Sequence, residues 1–254
     1  MEKSSPLIFD RYELKYLIPE SLIEPISRYI SAYCELDPYS LSAPDHFYQV
    51  NSLYLDTNRF LFLRRKLDEA PERFNMRIRG YGGPELFLEL KFKSNGFVKK
   101  RRAFCRGNVM DVLEEYSDEG LGLATGNRHL FMNAFHSYNV EPKVLTQYKR
   151  KAYFSNYDDY ARITFDKDLR YQATTEFNII PNPRLMCNYD NETQFREGTN
   201  VVLELKCPQR VPLWFIDLIK RFDLTRTGFS KYTSSVMEIM PQFQALRHDR
   251  IGAI

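Results

Sequence analysis

The feature that most constrains this chain is a set of segments that alternate between apolar and charged residues, with cations in excess on the charged side. In ELFLELKFK, Leu86, Leu88, Leu90 and Phe92 fall on one side, and Glu85, Phe87, Glu89, Lys91 and Lys93 on the other. A period of two is the mark of a β-strand with one buried face. RYELKYLI sets Arg11, Glu13 and Lys15 against Tyr12, Leu14 and Tyr16, and FNMRIRGY puts Arg77 and Arg79 together. YARITFD aligns Arg162, Thr164 and Asp166, while VVLELKC aligns Val202, Glu204 and Lys206. An antiparallel sheet with one solvated face accounts for any one of these strands. Together they point further. The apolar faces are strong enough to ask for helices packed against them. Glu-x-Lys recurs at Glu13/Lys15, Glu89/Lys91 and Glu204/Lys206. A barrel of about eight strands has room inside only for side chains or one slim ligand. Cations filling such an interior need an anionic partner.

The remaining segments support a mixed fold. Ser21-x-x-Glu24 reads as a capping box opening a helix to about Tyr33, with Leu22, Ile26, Tyr29, Ile30 and Tyr33 as its stripe and Pro25 in the first turn. YQVNSLYLD is a strand, after which Asp56 or Thr57 caps a short helix carrying Phe60, Leu61 and Leu67. Turns at Gly82-Gly83-Pro84 and Ser94-Asn95-Gly96 make FNMRIRGY, ELFLELKFK and FVKKRRAF a meander. Asn108 caps a helix with Val109, Val112, Leu113 and Tyr116, and NRHLFMNAFHSY forms another. PKVLTQYKRKAYF and DYARITFDKDL are strands, and residues 172–198 read as loop. PLWFIDLIKRF is a helix, and GFSKYTSSVMEIM a loop leading into a last one. No linker or low-complexity tract divides the chain, so residues 1–254 are expected to form a single domain. RIRGY followed by LELK is echoed by ARITFD followed by LELK, as though two halves supplied matching walls.

Composition removes several classes. Thirty-six basic against 33 acidic residues leave only +3, too balanced for a general nucleic-acid coat. Any anion site must come from local clustering. Seventeen Tyr and 19 Phe favour strands. Cys34, Cys105, Cys187 and Cys207 show no C-x-x-C spacing, and His46, His129, His136 and His248 lie far apart, so neither a zinc site nor a disulfide framework is read. The N-terminus lacks a signal-peptide apolar region, and no run approaches the ~18 apolar residues of a membrane span. A cytoplasmic protein without a membrane segment is expected. Gly120-x-Gly122 follows no clear strand, which argues against a dinucleotide fingerprint.

The order RYELKY, SLYLD, RIRGY, FLELK, VKKRR, YKR, RITFD, VLELK, FSKY resembles the vacuolar transporter chaperone (VTC) polyphosphate polymerase domain, over about residues 9–240. That domain belongs to the triphosphate tunnel metalloenzymes, which also hold the CYTH-like branch. The resemblance implies an α+β fold: an antiparallel eight-stranded β-tunnel with helices packed outside. It implies phosphate contacts at Lys15, Arg77, Arg79, Lys91, Arg150, Arg162, Lys206 and Lys231. Lys100 and Arg102 join them, although Lys99 and Arg101 could equally point inward. Glu204 is the implied metal ligand, with Glu13 and Glu89 either supporting it or orienting neighbouring lysines. The implied cofactor is Mn2+ or Mg2+. The implied reaction moves the terminal phosphate of a nucleoside triphosphate such as ATP onto polyphosphate. A triphosphatase and a non-catalytic polyphosphate-binding module are the alternatives. No nucleic-acid partner is expected. The CYTH branch opens with Glu-x-Glu-x-Lys, whereas here the first of those glutamates is replaced by Arg11. That departure favours the polymerase branch.

Overall fold

Alternation becomes a sheet wherever the apolar side of a strand finds a helix to cover it. The computed structural model describes residues 11–94, 97–114, 126–158, 161–189, 200–208, 210–240 and 242–243. The expected Asn95-Gly96 turn, Tyr116, Gly120-x-Gly122, His248 and most of the end of the 172–198 loop lie outside the described residues. The described residues sort into two compact units. One draws on Met1–Gln49, Tyr148–Leu169 and Asn188–Phe229; the other on Val50–Gln147, Arg170–Cys187 and Ser230–Ile254.

In the first unit the strand order is β1 (Arg11–Ile18), β10 (Val201–Pro208), β8 (Arg162–Ala173) and β7 (Glu141–Ser155), with the short β2 (Cys34–Leu36) also on β7. The β1–β10, β10–β8 and β2–β7 pairs are antiparallel. The apolar side carries Tyr16, Ile18, Ile163, Phe165, Leu203 and Leu205. It is covered by Ile23, Ile26 and Ile30 of α1 (Ile23–Ile30) and by Trp214, Phe215 and Leu218 of α6 (Leu213–Arg221). Each such side chain contributes ~1.5–3 kcal/mol by leaving water. The start of α1 departs from the capping box. Glu20–Leu22 form a 3-10 turn, and α1 begins at Ile23 with no side chain capping it. The tighter turn after Pro19 takes up Ser21, so its hydroxyl is not at the helix start. Helix α2 (Pro38–Ser42) was not legible as a helix; Asp37 caps it by accepting from Ser40 N–H at 2.7 Å.

In the second unit β3 (Tyr48–Asp56) is followed in the sheet by β4 (Glu72–Gly80), β5 (Glu85–Ser94) and β6 (Phe97–Arg106), with β7 on the other side of β3. The two hairpins are the expected meander, in register from Gly80↔Leu86 to Ser94↔Phe97. Leu53, Leu55, Met76, Ile78, Leu86, Leu88 and Leu90 form the apolar face. It is buried by Phe62 of α3 (Leu61–Leu67), Val109, Val112 and Leu113 of α4 (Val109–Glu114), and Phe131 and Met132 of α5 (Gly126–Ser137). Asn108 caps α4, accepting from Asp111 N–H at 2.9 Å. Both proposed caps of α3 operate: Asp56 accepts from Phe62 and Leu63 N–H, and Thr57 Oγ1 from Leu61 N–H. The two-residue β9 (Cys187–Asn188) and α7 (Lys231–Ile239), capped by Ser230, complete the elements. No helix among the described residues is long and apolar enough to cross a membrane.

The fold is thus α+β, a many-stranded antiparallel sheet with helices on the apolar faces. Among the described residues the pairing does not give an eight-stranded ring: the strands of neither unit close on themselves, the order ending at β1 in the first and at β6 in the second. Alternation specifies which face is buried, but carries no information on whether two edges meet. The internal echo has a structural counterpart, because the two LELK strands, β5 and β10, fall one in each unit.

Candidate functional site

Each unit holds a polar cluster on the face away from its helices. In the second unit the centre is Glu89 of β5, 2% exposed. Strand register brings Arg77 of β4 and Arg102 of β6 directly opposite it. Arg77 Nε donates to Glu89 Oε2 at 2.6 Å, Lys100 Nζ lies 2.5 Å from Oε1, and Arg102 Nε 3.2 Å from Oε1. Arg79 Nη1 is 3.9 Å away. Four cations therefore surround one carboxylate. The register resolves the KKRR ambiguity: Lys100 and Arg102 share the Glu89 face, while Lys99 and Arg101 stand opposite Phe92 and Leu90 on the other.

The electrostatics follow from that crowding. Burial opposes the Glu89 charge, but Arg77, Lys100, Arg79 and Arg102 outweigh it and hold the carboxyl well below the usual range. Burial pushes Lys100 well down, and the three guanidinium groups add to that against the pull of Glu89. Lys91 is directly opposite Lys100, and like charges opposed across strands are unfavourable. A face carrying this surplus is stabilised by an anion.

Two β3 residues that sequence reasoning did not single out hold the arginines. Tyr54 and Ser52 are opposite Arg77 and Arg79 in register. Arg77 Nη1 donates to Tyr54 Oη at 3.2 Å, and Arg79 Nε to Ser52 Oγ at 3.2 Å. The Tyr54 ring stacks on Tyr232 at 5.2 Å, and the Tyr232 hydroxyl donates to Asp56 at 2.6 Å. Burial alone pushes the Tyr54 phenol up, but Arg77, Arg79 and Lys231 bring it below its ordinary value. Lys231, the first residue of α7, thus contributes to the same positive potential. The alternation of SLYLD held the signal: it puts Ser52, Tyr54 and Asp56 on the polar face.

In the first unit opposite charges face each other across β1 and β10. Glu13 opposes Lys206, Lys15 opposes Glu204, Glu204 opposes Thr164, and Lys206 opposes Arg162. Lys206 Nζ is 3.3 Å from Glu204 Oε2, and Lys15 Nζ is 4.0 Å from Oε1 while donating to Phe229 O at 2.9 Å. Arg162 donates to Asp37 at 3.1 Å. Arg150 makes a fork with Asp166 at 2.7 and 2.8 Å, both side chains buried. Although burial opposes it, Asp166 holds the Arg150 guanidinium charged, well above its ordinary value. That pairing engages two of the five guanidinium donors. Burial lowers Lys206 to about 8, with Glu204 and Glu13 opposing the shift and Arg150 and Arg162 adding to it.

These side chains discriminate among the expected metal ligands. Among the described residues, no three His, Cys, Asp or Glu are grouped so as to hold a metal ion. Glu89 fits less well, because cations hold its two oxygens at 2.5 and 2.6 Å, against 3.3 and 4.0 Å at Glu204; it orients them. Glu13 and Glu204 do fit: they are diagonal neighbours on paired strands, and beside Glu204 the fully buried Thr164 has an Oγ1 with no hydrogen-bond partner among the described residues. One or two carboxylates suffice for a hard cation that takes its other ligands from phosphate and water.

The family model described as VTC domain matches residues 10–240. Two curated proteins, each described as vacuolar transporter chaperone complex subunit 4, are similar to this chain. The one from Trypanosoma brucei brucei is 24% identical, the match covering 90% of this chain and 34% of that protein. The one from Trypanosoma cruzi is 24% identical, covering 80% and 29%. The chain therefore spans roughly a third of the length of these relatives. A crystal structure of a candidate adenylate cyclase from Bacillus halodurans aligns with a TM-score of 0.48 at 11% identity, covering 89% of this chain and 96% of that one.

Proposed function

This chain belongs to the VTC domain family, and on that premise we propose that it moves the terminal phosphate of a nucleoside triphosphate onto a polyphosphate chain. The observation that carries the reading is the cluster around Glu89, where four cations share one buried carboxylate. Such a surplus suits a ligand with several negative charges along a narrow rod. Arginine forks grip phosphate oxygens in pairs, and each charge-assisted bond is about twice as strong as a neutral one.

The chemistry asks little else of the side chains. Phosphoryl transfer is dominated by positioning and by neutralising charge, since the electrophile is already present in the nucleotide. A terminal oxygen of the acceptor polyphosphate attacks the γ-phosphorus. The new P–O bond forms as the bond from that phosphorus to the bridging oxygen breaks, and the nucleoside diphosphate leaves with the electron pair. No side-chain nucleophile and no proton transfer are needed. Arg77, Arg79, Lys100 and Arg102 hold phosphate oxygens, with Ser52 and Tyr54 fixing the two β4 arginines. Within the first unit, Glu13 and Glu204 would hold a divalent cation, Mn2+ or Mg2+, which supplies charge neutralisation when bound. The first unit suits that task, because its lysines and arginines are balanced by carboxylates instead of outnumbering them.

The test is incubation of the protein with ATP and Mn2+ or Mg2+, with the products separated on a gel. Long chains are the expected result. Short phosphate alone means a triphosphatase, and no turnover with retained polyphosphate binding means a binding module.

A further inference from the structure

The polar face of the β4–β6 meander continues beyond its cations into a group of aromatic rings. Phe87 of β5 and Phe104 of β6 are directly opposite in register, two residues from Glu89 and Arg102, and so share their face. The rings of Phe87 and Phe104 have centroids 5.5 Å apart, and Tyr81 lies 5.4 Å from Phe87. Phe104 is 57% exposed. Arg102 joins the two regions. Its guanidinium lies 3.6 Å from the centroid of Phe87, donates to the Tyr81 hydroxyl at 2.9 Å, and reaches Glu89 through Nε.

We propose that Phe104, backed by Phe87 and Tyr81, is the stacking platform for the base of the nucleoside triphosphate. The phosphates of that nucleotide would run along β6 from Arg102 to Lys100. This deepens the reading above and rests on it in one respect: the phosphate donor is a nucleotide. The argument is one of charge and spacing. A flat exposed ring beside a cationic cluster matches a ligand that joins an aromatic heterocycle to a string of negative charges. At about 3.4 Å per residue, Phe104 lies roughly 7 Å along the strand from Arg102 and 14 Å from Lys100. An extended nucleoside triphosphate covers that span. Arg102 already occupies a face of Phe87, so the exposed ring of Phe104 takes the base. Guanidinium groups stack on aromatic faces and bind phosphate in the same pose, which suits Arg102 to the junction of base and phosphates. Stacking reads the π-face and not the edge of a base. Purine nucleotides are therefore held more tightly than pyrimidine nucleotides, with little discrimination between ATP and GTP.

The experiment compares ATP with inorganic tripolyphosphate by calorimetry, on the full chain and on Phe104→Leu and Phe104→Trp. Leucine keeps apolar bulk on the sheet but removes the π-face. Expected is a roughly tenfold loss of ATP affinity in the Leu variant, the size of a lost base–aromatic stack, with tripolyphosphate affinity unchanged. The Trp variant should restore ATP binding, and ATP but not tripolyphosphate should change its added indole fluorescence. Unchanged ATP affinity in the Leu variant, or equal losses for both ligands, overturns the platform and leaves the phosphate cluster standing. Failure of the unaltered chain to bind either ligand overturns the platform and the proposed function together.

Discussion

Replacing Glu89 with Gln separates an anion-binding role from a metal-binding one. The native carboxylate is 2% exposed and held charged by four cations. Removing one partner of a buried ion pair leaves uncompensated charge and costs ~3–5 kcal/mol. Here the uncompensated groups are Arg77, Lys100 and Arg102, with Arg79 close by. For a chain of this size that loss lowers Tm by on the order of 10 °C. The effect on ligand should have the opposite sign. The freed cations gain a charge-assisted contact of about 1.5–3 kcal/mol with phosphate, so tripolyphosphate should bind tenfold tighter or more. Ligand at a hundredfold excess over Kd adds about 2.7 kcal/mol of stability, so most of the deficit should vanish in its presence. Urea unfolding with and without tripolyphosphate, together with calorimetric Kd values, measures both. The native protein carries a further signature. Because the Glu89 pKa is depressed on folding, its contribution is complete above the ordinary value of 4.5 and is lost as pH falls below it. The Gln variant should lack that acid-dependent loss. A Gln variant as stable as the native protein, or one that binds tripolyphosphate more weakly, refutes the reasoning.

Glu204→Gln keeps shape and hydrogen bonding while removing charge; metal-dependent turnover should be lost and metal-free polyphosphate binding kept or tightened. Full metal-dependent activity in that variant removes Glu204 from the mechanism. Burial lowers Lys206 to about 8 in the folded chain against an ordinary 10.5. Between those two pKa values the unfolded chain binds more protons, so this lysine makes the ligand-free protein gain stability with pH; unfolding of Lys206→Met should show less of that gain. Arg150→Met leaves the Asp166 carboxylate, 1% exposed, without its fork. The expected cost is ~3–5 kcal/mol in urea unfolding, recovered in part by adding Asp166→Leu, with tripolyphosphate binding by the folded variant unchanged. Undiminished stability with weakened binding would instead make Arg150 a phosphate contact.

Much of the fold was local and therefore legible. Period-two alternation assigned Leu86, Leu88 and Leu90 to the core and Glu89 to the opposite face, because successive strand side chains point to opposite sides. The helix starts at Asn108 and Asp56 were readable because a cap is a contact within a few residues. Ser21 failed as a cap because a 3-10 turn and an α-helix place the same side chain differently, and the Ser-x-x-Glu spacing fits both.

What the sequence by itself determined is which side chains share a face: Arg77 with Arg79, Glu204 with Lys206, Arg162 with Asp166. What only the tertiary structure decided is what stands across from them. Pairing between strands chose Lys100 and Arg102 over Lys99 and Arg101 as partners of Glu89. Contacts between residues far apart in sequence bound Arg162 to Asp37, the cap of α2. The fork from Arg150 to Asp166 is likewise a partnership across strands that spacing in one strand does not show. The physical reason is that alternation is a property of one strand's backbone, whereas register and cross-strand partnership are properties of two. A cation two residues from another cation looks the same in sequence whether its neighbour across the sheet is a carboxylate or a lysine.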